Sequence, residues 1–242
     1  MKRKKILAAF LALLLTASAI GAHYLFDPWG FYWKVSPEEE AQRMQVVSTA
    51  TRWLSANEQD GSHRAIIDLY NSHEPLAQGY AVQYTDSWCS TFVSAVAIAC
   101  DLTDIIPTEC GCERHIGLFQ RIGCWEEQDT AIPLPGDIIF YDWDQTKPGD
   151  AAGWSDHVGI VVGTKWPFIK VIEGNFDDCV QYRIIPIWDI RIRGYGKPDY
   201  AAKTPQAEAY GVFLIPFGPE RLSAVCAACA IPATGAEGSP DS

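Results

Sequence analysis

Hydrophobic positions recur at helical spacing in the first half of the chain and fall into short apolar runs in the second. Ser36, Pro37 and Glu39 together form a helix start: a capping hydroxyl, a proline suited to the first turn and the glutamate of a capping box. Met44, Val47, Ala50, Trp53 and Leu54 then repeat with helical period, which predicts one face laid on a core through to about Ala56. A second helix is expected over 64–71, with Ile66, Ile67, Leu69 and Tyr70 as its apolar content. Past a short loop at 84–88, residues 89–100 read as a buried helix rich in small side chains, with Phe92, Val93 and Val96 inward and Cys89 in its first turn.

From Asp101 to Thr130 the pattern is irregular and rich in cysteine, and then it changes to strands. Residues 133–136 (PLPG) make a turn, and 137–141 a short apolar strand. The runs 157–162 and 168–172, joined by a turn at 163–165, form an antiparallel hairpin, and a further strand is expected over 180–187. Helices followed by tightly connected strands predict an α+β domain with helices on one side of an antiparallel sheet.

The two ends differ from this body. Lys2, Arg3, Lys4 and Lys5 precede an apolar run from Ile6 to Ala22 that ends in small residues, the pattern of an export signal with cleavage near Ala19 or Ala22. Stretched to Phe26, the same run approaches the ~20 residues of a membrane span, so a retained anchor over 6–26 is the alternative. Either way the early positive charges direct the remainder outward. Beyond Tyr200 periodicity fades, and the Gly, Pro, Ala and Ser mixture of 232–242 is expected to be disordered. The division read from the chain is 1–22 signal or anchor, 23–52 linker and helix, 53–200 main domain, 201–242 tail.

Composition narrows the function. A formal net charge of -11 repels polyanions, which argues against nucleic acid as a partner. Nine Trp and ten Tyr in a chain of 242 residues imply a well-packed body rather than disorder. Eight cysteines suit an exported protein that forms disulfides, but if Cys89 is a free thiol, at least one of the other seven is unpaired or bound to something else.

A thiol in the first turn of a helix is where a reactive cysteine is expected, because the helix dipole and free N–H groups favour thiolate. His157 opens a strand, and Glu173 and Asn175 lie two apart at the end of the facing strand, so the hairpin gathers all three. Cys, His and an acidic or amide orienter are the parts of acyl transfer through a thioester: thiolate attacks, imidazole moves the proton, the third group fixes the ring.

The segments WCSTFVS (88–94), PGDIIF (135–140), SDHVGIVVG (155–163) and IEGN (172–175), in this order, resemble the CHAP domain of cysteine- and histidine-dependent amidohydrolases and peptidases. The similarity covers about 53–200. It implies a papain-like fold and cleavage of an amide in bacterial peptidoglycan, either between N-acetylmuramic acid and L-alanine or within the stem peptide or cross-bridge. It makes Cys89 the nucleophile, His157 the base and then acid, Glu173 the orienting group and Asn175 its assistant. Some members bind calcium upstream of the cysteine, but Asp60, Asp68, Glu74 and Asp86 are well separated here, so no metal or other cofactor is expected.

Around this set, the backbone N–H of Cys89 is expected to stabilise the oxyanion, and Gln83, six positions earlier, is a second candidate. Tyr84, Trp88, Trp143 and Trp154 are candidates for a sugar and peptide groove, with ordinary packing the alternative for Trp88 and Trp143, and Asp86 and Asp156 are placed to meet an amino group. Cys100, Cys110, Cys112, His115 and Cys124 fit no strong zinc spacing, and disulfides or plain thiols are the favoured reading. The Cys226 and Cys229 pair lies outside any βαβ context and reads as incidental. An acyltransferase on the same scaffold and an inactive wall-binding module are the competing functions; a metal amidase lacks its histidine motif among five histidines.

Overall fold

The computed structural model describes residues 35–127, 131–146 and 152–203. The apolar run expected to be an export signal or anchor, the tail expected to be disordered and the Cys226–Cys229 pair lie outside these residues. No helix among the described residues is long and apolar enough to cross a membrane.

The elements in order are α1 (Pro37–Arg52), α2 (Arg64–Asn71), α3 (Cys89–Ala99), α4 (Cys112–Arg121), β1 (Trp125–Glu127), β2 (Ile138–Tyr141), β3 (His157–Lys165), β4 (Phe168–Phe176), β5 (Cys179–Pro186), β6 (Ile192–Gly196) and α5 (Tyr200–Lys203). The strands form one sheet in the order β1-β6-β2-β3-β4-β5, antiparallel throughout. Helices packed on an antiparallel sheet, with a cysteine at the first residue of the most buried helix, are the α+β arrangement expected from the sequence.

Ser36 caps α1 as expected, its hydroxyl accepting from the Glu39 N–H at 3.1 Å. The capping box is only half made, because the Glu39 carboxylate accepts instead from Arg43 Nε at 2.8 Å. Helix α1 ends at Arg52 rather than Ala56, and Met44 and Leu54, expected on its inner face, are exposed. The inner face is Arg43, Val46, Val47, Thr49 and Ala50. Arg43 there meets the buried Asp137 carboxylate at 2.8 Å, and Asp137 also accepts from the Leu134 N–H, so the turn before β2 is fastened to α1. Burial of Asp137 needs such a cation, since a lone buried carboxylate is costly.

Strand alternation sorts the core into two layers. Ile138, Phe140, Val158, Ile160 and Ile172 pack with Val46, Ile66, Phe92, Val93 and Val96 on the helical side. Ile139, Tyr141, Val161, Ile169, Val171, Ile192 and Tyr195 form the layer on the other face. Nine residues of α3, Cys89 to Ala97, are buried, which explains why its sequence carries no polar stripe. Helix α3 crosses β4 at Gly174, where a Cβ would run into Phe92 and the Trp88 ring, so the close approach requires glycine.

The hairpin of β3 and β4 runs further than expected: its turn is at Trp166 and Pro167, and Gly163 to Lys165 belong to β3, beyond an irregularity between Val161 and Gly163. The segment 101–130, expected to be irregular, contains α4 and β1. The buried positions of α4, His115, Ile116 and Phe119, are helically spaced but too few to stand out beside the cysteines. The edge of β5 is covered by residues 55–58, through Ser55 N–H to Val180 O and Val180 N–H to Ala56 O, both at 2.8 Å.

Candidate active site

Three strands and two helix starts converge on the site. Cys89 is the first residue of α3, 5% exposed, and His157 is the first residue of β3. His157 pairs with Tyr141 across β2, and its ring lies against the Tyr141 ring at 5.9 Å and the Trp143 ring at 6.1 Å. Its Nε2 donates to Glu173 Oε2 at 3.0 Å. Nδ1 is then the ring nitrogen available to the thiol.

Glu173 is fully buried on β4. A carboxylate there needs more than one donor, and Arg183 supplies the rest: its Nε meets Oε1 at 2.9 Å and Oε2 at 2.8 Å. Arg183 is held from both sides, its guanidinium 3.7 Å from the Phe176 ring and 5.0 Å from that of Trp143. Room for the Glu173 side chain is made by Gly159 on β3, where a Cβ would come within 2.7 Å of Glu173 Cγ and 2.6 Å of Val171 Cγ1. The glycines of the HVG and EGN segments are thus packing requirements of the site, one for the carboxylate and one for the nucleophile helix.

The electrostatics of the pair are reciprocal. Cys89 is held well below the ordinary thiol range by a hydrogen bond from Cys112 and by His157, against the opposing effect of burial. Burial alone would lower His157, but the neighbouring Cys89 and Glu173 raise it from 6.5 to about 9. The two displacements are opposite in sign, the direction that favours a thiolate beside an imidazolium.

Cys112 stands at the start of α4 with its sulfur 3.5 Å from that of Cys89. Its own pKa is pushed well up, first by the hydrogen bond to Cys89 and then by burial. Helix α4 is tied to both catalytic candidates' surroundings: Glu113 accepts from the Ser155 N–H at 2.9 Å, two residues before His157, and His115 Nδ1 lies 2.9 Å from Ser90 Oγ.

The remaining sequence candidates separate. Asn175 has a left-handed backbone (φ 55) beside an irregularity of the β4–β5 pairing, so the strand alternation that would put it on the face of Glu173 stops before it. No hydrogen bond among the described residues joins it to His157. Gln83 is exposed and its amide donates to Ala81 O at 2.9 Å, within its own loop. Trp88 is fully buried, with Nε1 on Glu58 at 2.9 Å, so it is a core residue rather than part of a groove. Tyr84 is exposed, its hydroxyl donating to Asp68 at 2.6 Å, and Trp154 is 72% exposed. Asp156 is exposed, accepts from the Trp143 N–H at 3.0 Å and raises Cys112 electrostatically, which places it at the site. Asp86 accepts from Tyr80 and from the Gln83 N–H.

All six described cysteines are free thiols. The zinc alternative is dispersed: Cys112 faces Cys89, His115 faces Ser90, and Cys110 lies beside Arg114. No cluster of three potential ligands occurs among the described residues. Sequence reasoning missed Arg183 and Cys112. Arg183 was findable, since a buried glutamate on β4 calls for a cation on the same face of the next strand.

No family model matches the chain, and no curated protein matches it. Among solved structures it is similar to that of an NlpC/P60 family protein from Bacillus cereus ATCC 10987, at 16% identity and a TM-score of 0.37 over 64% of this chain. The chain spans about 40% of the length of that protein. A likeness this weak leaves the chemistry to be read from the side chains themselves.

Proposed function

We propose that this chain is an exported cysteine hydrolase that cleaves an amide bond in peptidoglycan. The observation that carries the chemical part is the Cys89, His157 and Glu173 set, with its pKa values displaced in opposite directions. The Cys89 thiolate adds to the amide carbonyl, and the backbone N–H of Cys89, in the first helical turn, is a donor for the oxyanion. The His157 imidazolium gives its proton to the leaving amine, which frees the amine and leaves a thioester on Cys89. Neutral His157 then takes a proton from water, which attacks the thioester and regenerates the thiolate. Glu173, fixed by Arg183, keeps the ring oriented and stabilises its charged form.

The substrate class rests on the CHAP-like segments in the sequence and on the export signal. Exposed Trp154 offers an apolar face, and the Asp156 carboxylate suits the amino group of a stem peptide. The scissile bond is muramoyl-L-alanine or a bond of the stem or cross-bridge. Digestion of purified peptidoglycan, with Cys89→Ala alongside and mass spectrometry of the released fragments, tests this reading. Free stem peptides from the wild type alone identify an amidase and shortened stems an endopeptidase. Absence of release from several wall types by folded, reduced protein would reject it.

A further inference from the structure

We propose that Cys89 and Cys112 form a reversible redox pair, in which Cys112 captures oxidised Cys89 as an intramolecular disulfide. The two sulfurs are 3.5 Å apart, and no other two of the six described cysteines share a sulfur contact. A disulfide at about 2.05 Å requires a closure of roughly 1.5 Å, within the reach of side-chain rotation and a small helix shift.

The placement of Cys112 is built rather than incidental. The segment that presents it is sewn to α3 by groups with almost no solvent exposure. Ser90 and Ser94 hydroxyls donate to the Glu109 carbonyl at 3.0 and 2.7 Å, and the Glu109 N–H donates to Ser94 Oγ at 2.8 Å. The Glu109 carboxylate, 2% exposed as a residue, accepts from the N–H groups of Cys110 and Gly111 at 2.8 and 3.2 Å and from Arg114. Ser90 directly follows Cys89, so this lacing fixes one thiol against the other. None of these residues takes part in the acyl-transfer steps proposed above.

The two thiols are chemically unequal in the sense such a pair needs. Cys89, whose pKa is displaced downward, is the one that reacts with oxidant; that of Cys112 is displaced upward. With a peroxide ROOH, the Cys89 thiolate attacks the terminal oxygen. The O–O bond breaks, an S–O bond forms, and ROH leaves after taking a proton, so sulfur loses two electrons to the peroxide. Cys89 as sulfenic acid carries no charge, and the largest influence holding up the Cys112 pKa is removed. Deprotonated Cys112 then attacks the Cys89 sulfur, S–S forms, S–O breaks, and hydroxide departs with the Cys112 proton as water. The net change is two thiols and ROOH to disulfide, ROH and water, reversed by a dithiol. The disulfide masks the nucleophile and protects it from irreversible oxidation.

This proposal concerns the thiols alone and is tested without any activity assay, so it stands or falls separately from the peptidoglycan reading. Full-length Cys110→Ser protein is treated with one equivalent of hydrogen peroxide, its free thiols are blocked, and it is cut at acidic residues; Asp101, Asp104 and Glu109 separate the two cysteines. The expected product is a peptide carrying Cys89 joined to one carrying Cys112, released by dithiothreitol, with Cys100, which lies on the same peptide as Cys89, recovered as a blocked thiol. In a further Cys112→Ser variant, Cys89 should instead accumulate sulfenic acid trapped by dimedone, then sulfinic acid, at least tenfold above the level in its parent. Cys89 sulfenic or sulfinic acid in the Cys110→Ser protein without the linked peptide, or a Cys89 left reduced, would overturn the proposal. The linked peptide is decisive even if Cys112→Ser fails to fold.

Discussion

On the sheet side of the site, His157, Glu173 and Arg183 are joined by charge-assisted hydrogen bonds of 3.0, 2.9 and 2.8 Å, whereas on the helix side Cys89 meets Cys112 through one sulfur contact of 3.5 Å. Short bonds to ionised groups hold geometry tightly; a thiol contact is soft and polarisable. The sheet therefore fixes the orientation and charge of the imidazole, and the helix side adjusts the reactivity of the sulfur. Substitutions on the two sides should differ in kind: sheet changes alter turnover and its high-pH limit, and helix-side changes alter thiol chemistry.

The largest effect is expected at the junction. His157→Ala removes both the proton carrier and the partner that keeps Cys89 ionised, and kcat/KM for peptidoglycan fragments should fall about ten-thousand-fold. A loss below tenfold in a folded variant would separate His157 from the reaction. Glu173→Gln keeps the shape and removes the charge, so a loss of roughly a hundred- to a thousandfold in kcat is expected. The same variant tests the electrostatics. Activity of the wild type should fall as pH rises through about 9, where His157 loses the proton it gives to the leaving amine. With the carboxylate neutralised, that falling limb should move to lower pH, an outcome that simple loosening of the fold would not produce.

Arg183→Lys should be milder, since one cation remains but the Nε–H shared between both Glu173 oxygens and the planar group beside the Phe176 and Trp143 rings are lost. About a tenfold reduction of kcat with KM nearly unchanged is expected, measured beside Tm to separate positioning from stability. Equal losses for Arg183→Lys and His157→Ala would mean that the arginine itself touches the reacting groups.

The same division explains what could be read in the chain. Cys89 at a helix start, His157 at a strand start and Glu173 on the facing strand follow from local pattern and hairpin pairing, because each depends on neighbours close in sequence. The role of Asn175 does not follow, because a left-handed residue at the end of β4 breaks the alternation on which the expectation rested. For Trp88 the sequence leaves groove and core both open; the choice falls to the core because Gly174, far along the chain, leaves space for its ring. Helix α4 and Cys112 were hidden for a similar reason. The lacing of Glu109 to Ser90 and Ser94 is tertiary, and nothing in the spacing of Cys110, Cys112 and Cys124 marks which thiol faces which partner.

The most direct test of the account is the pH dependence of iodoacetamide labelling at Cys89, quantified by mass spectrometry in wild type and His157→Ala. A thiolate–imidazolium pair predicts rapid labelling of the wild type that persists well below the ordinary thiol range, and a profile displaced to higher pH in the variant. Wild-type labelling that rises only where an ordinary cysteine ionises, with the same profile in His157→Ala, would contradict the account.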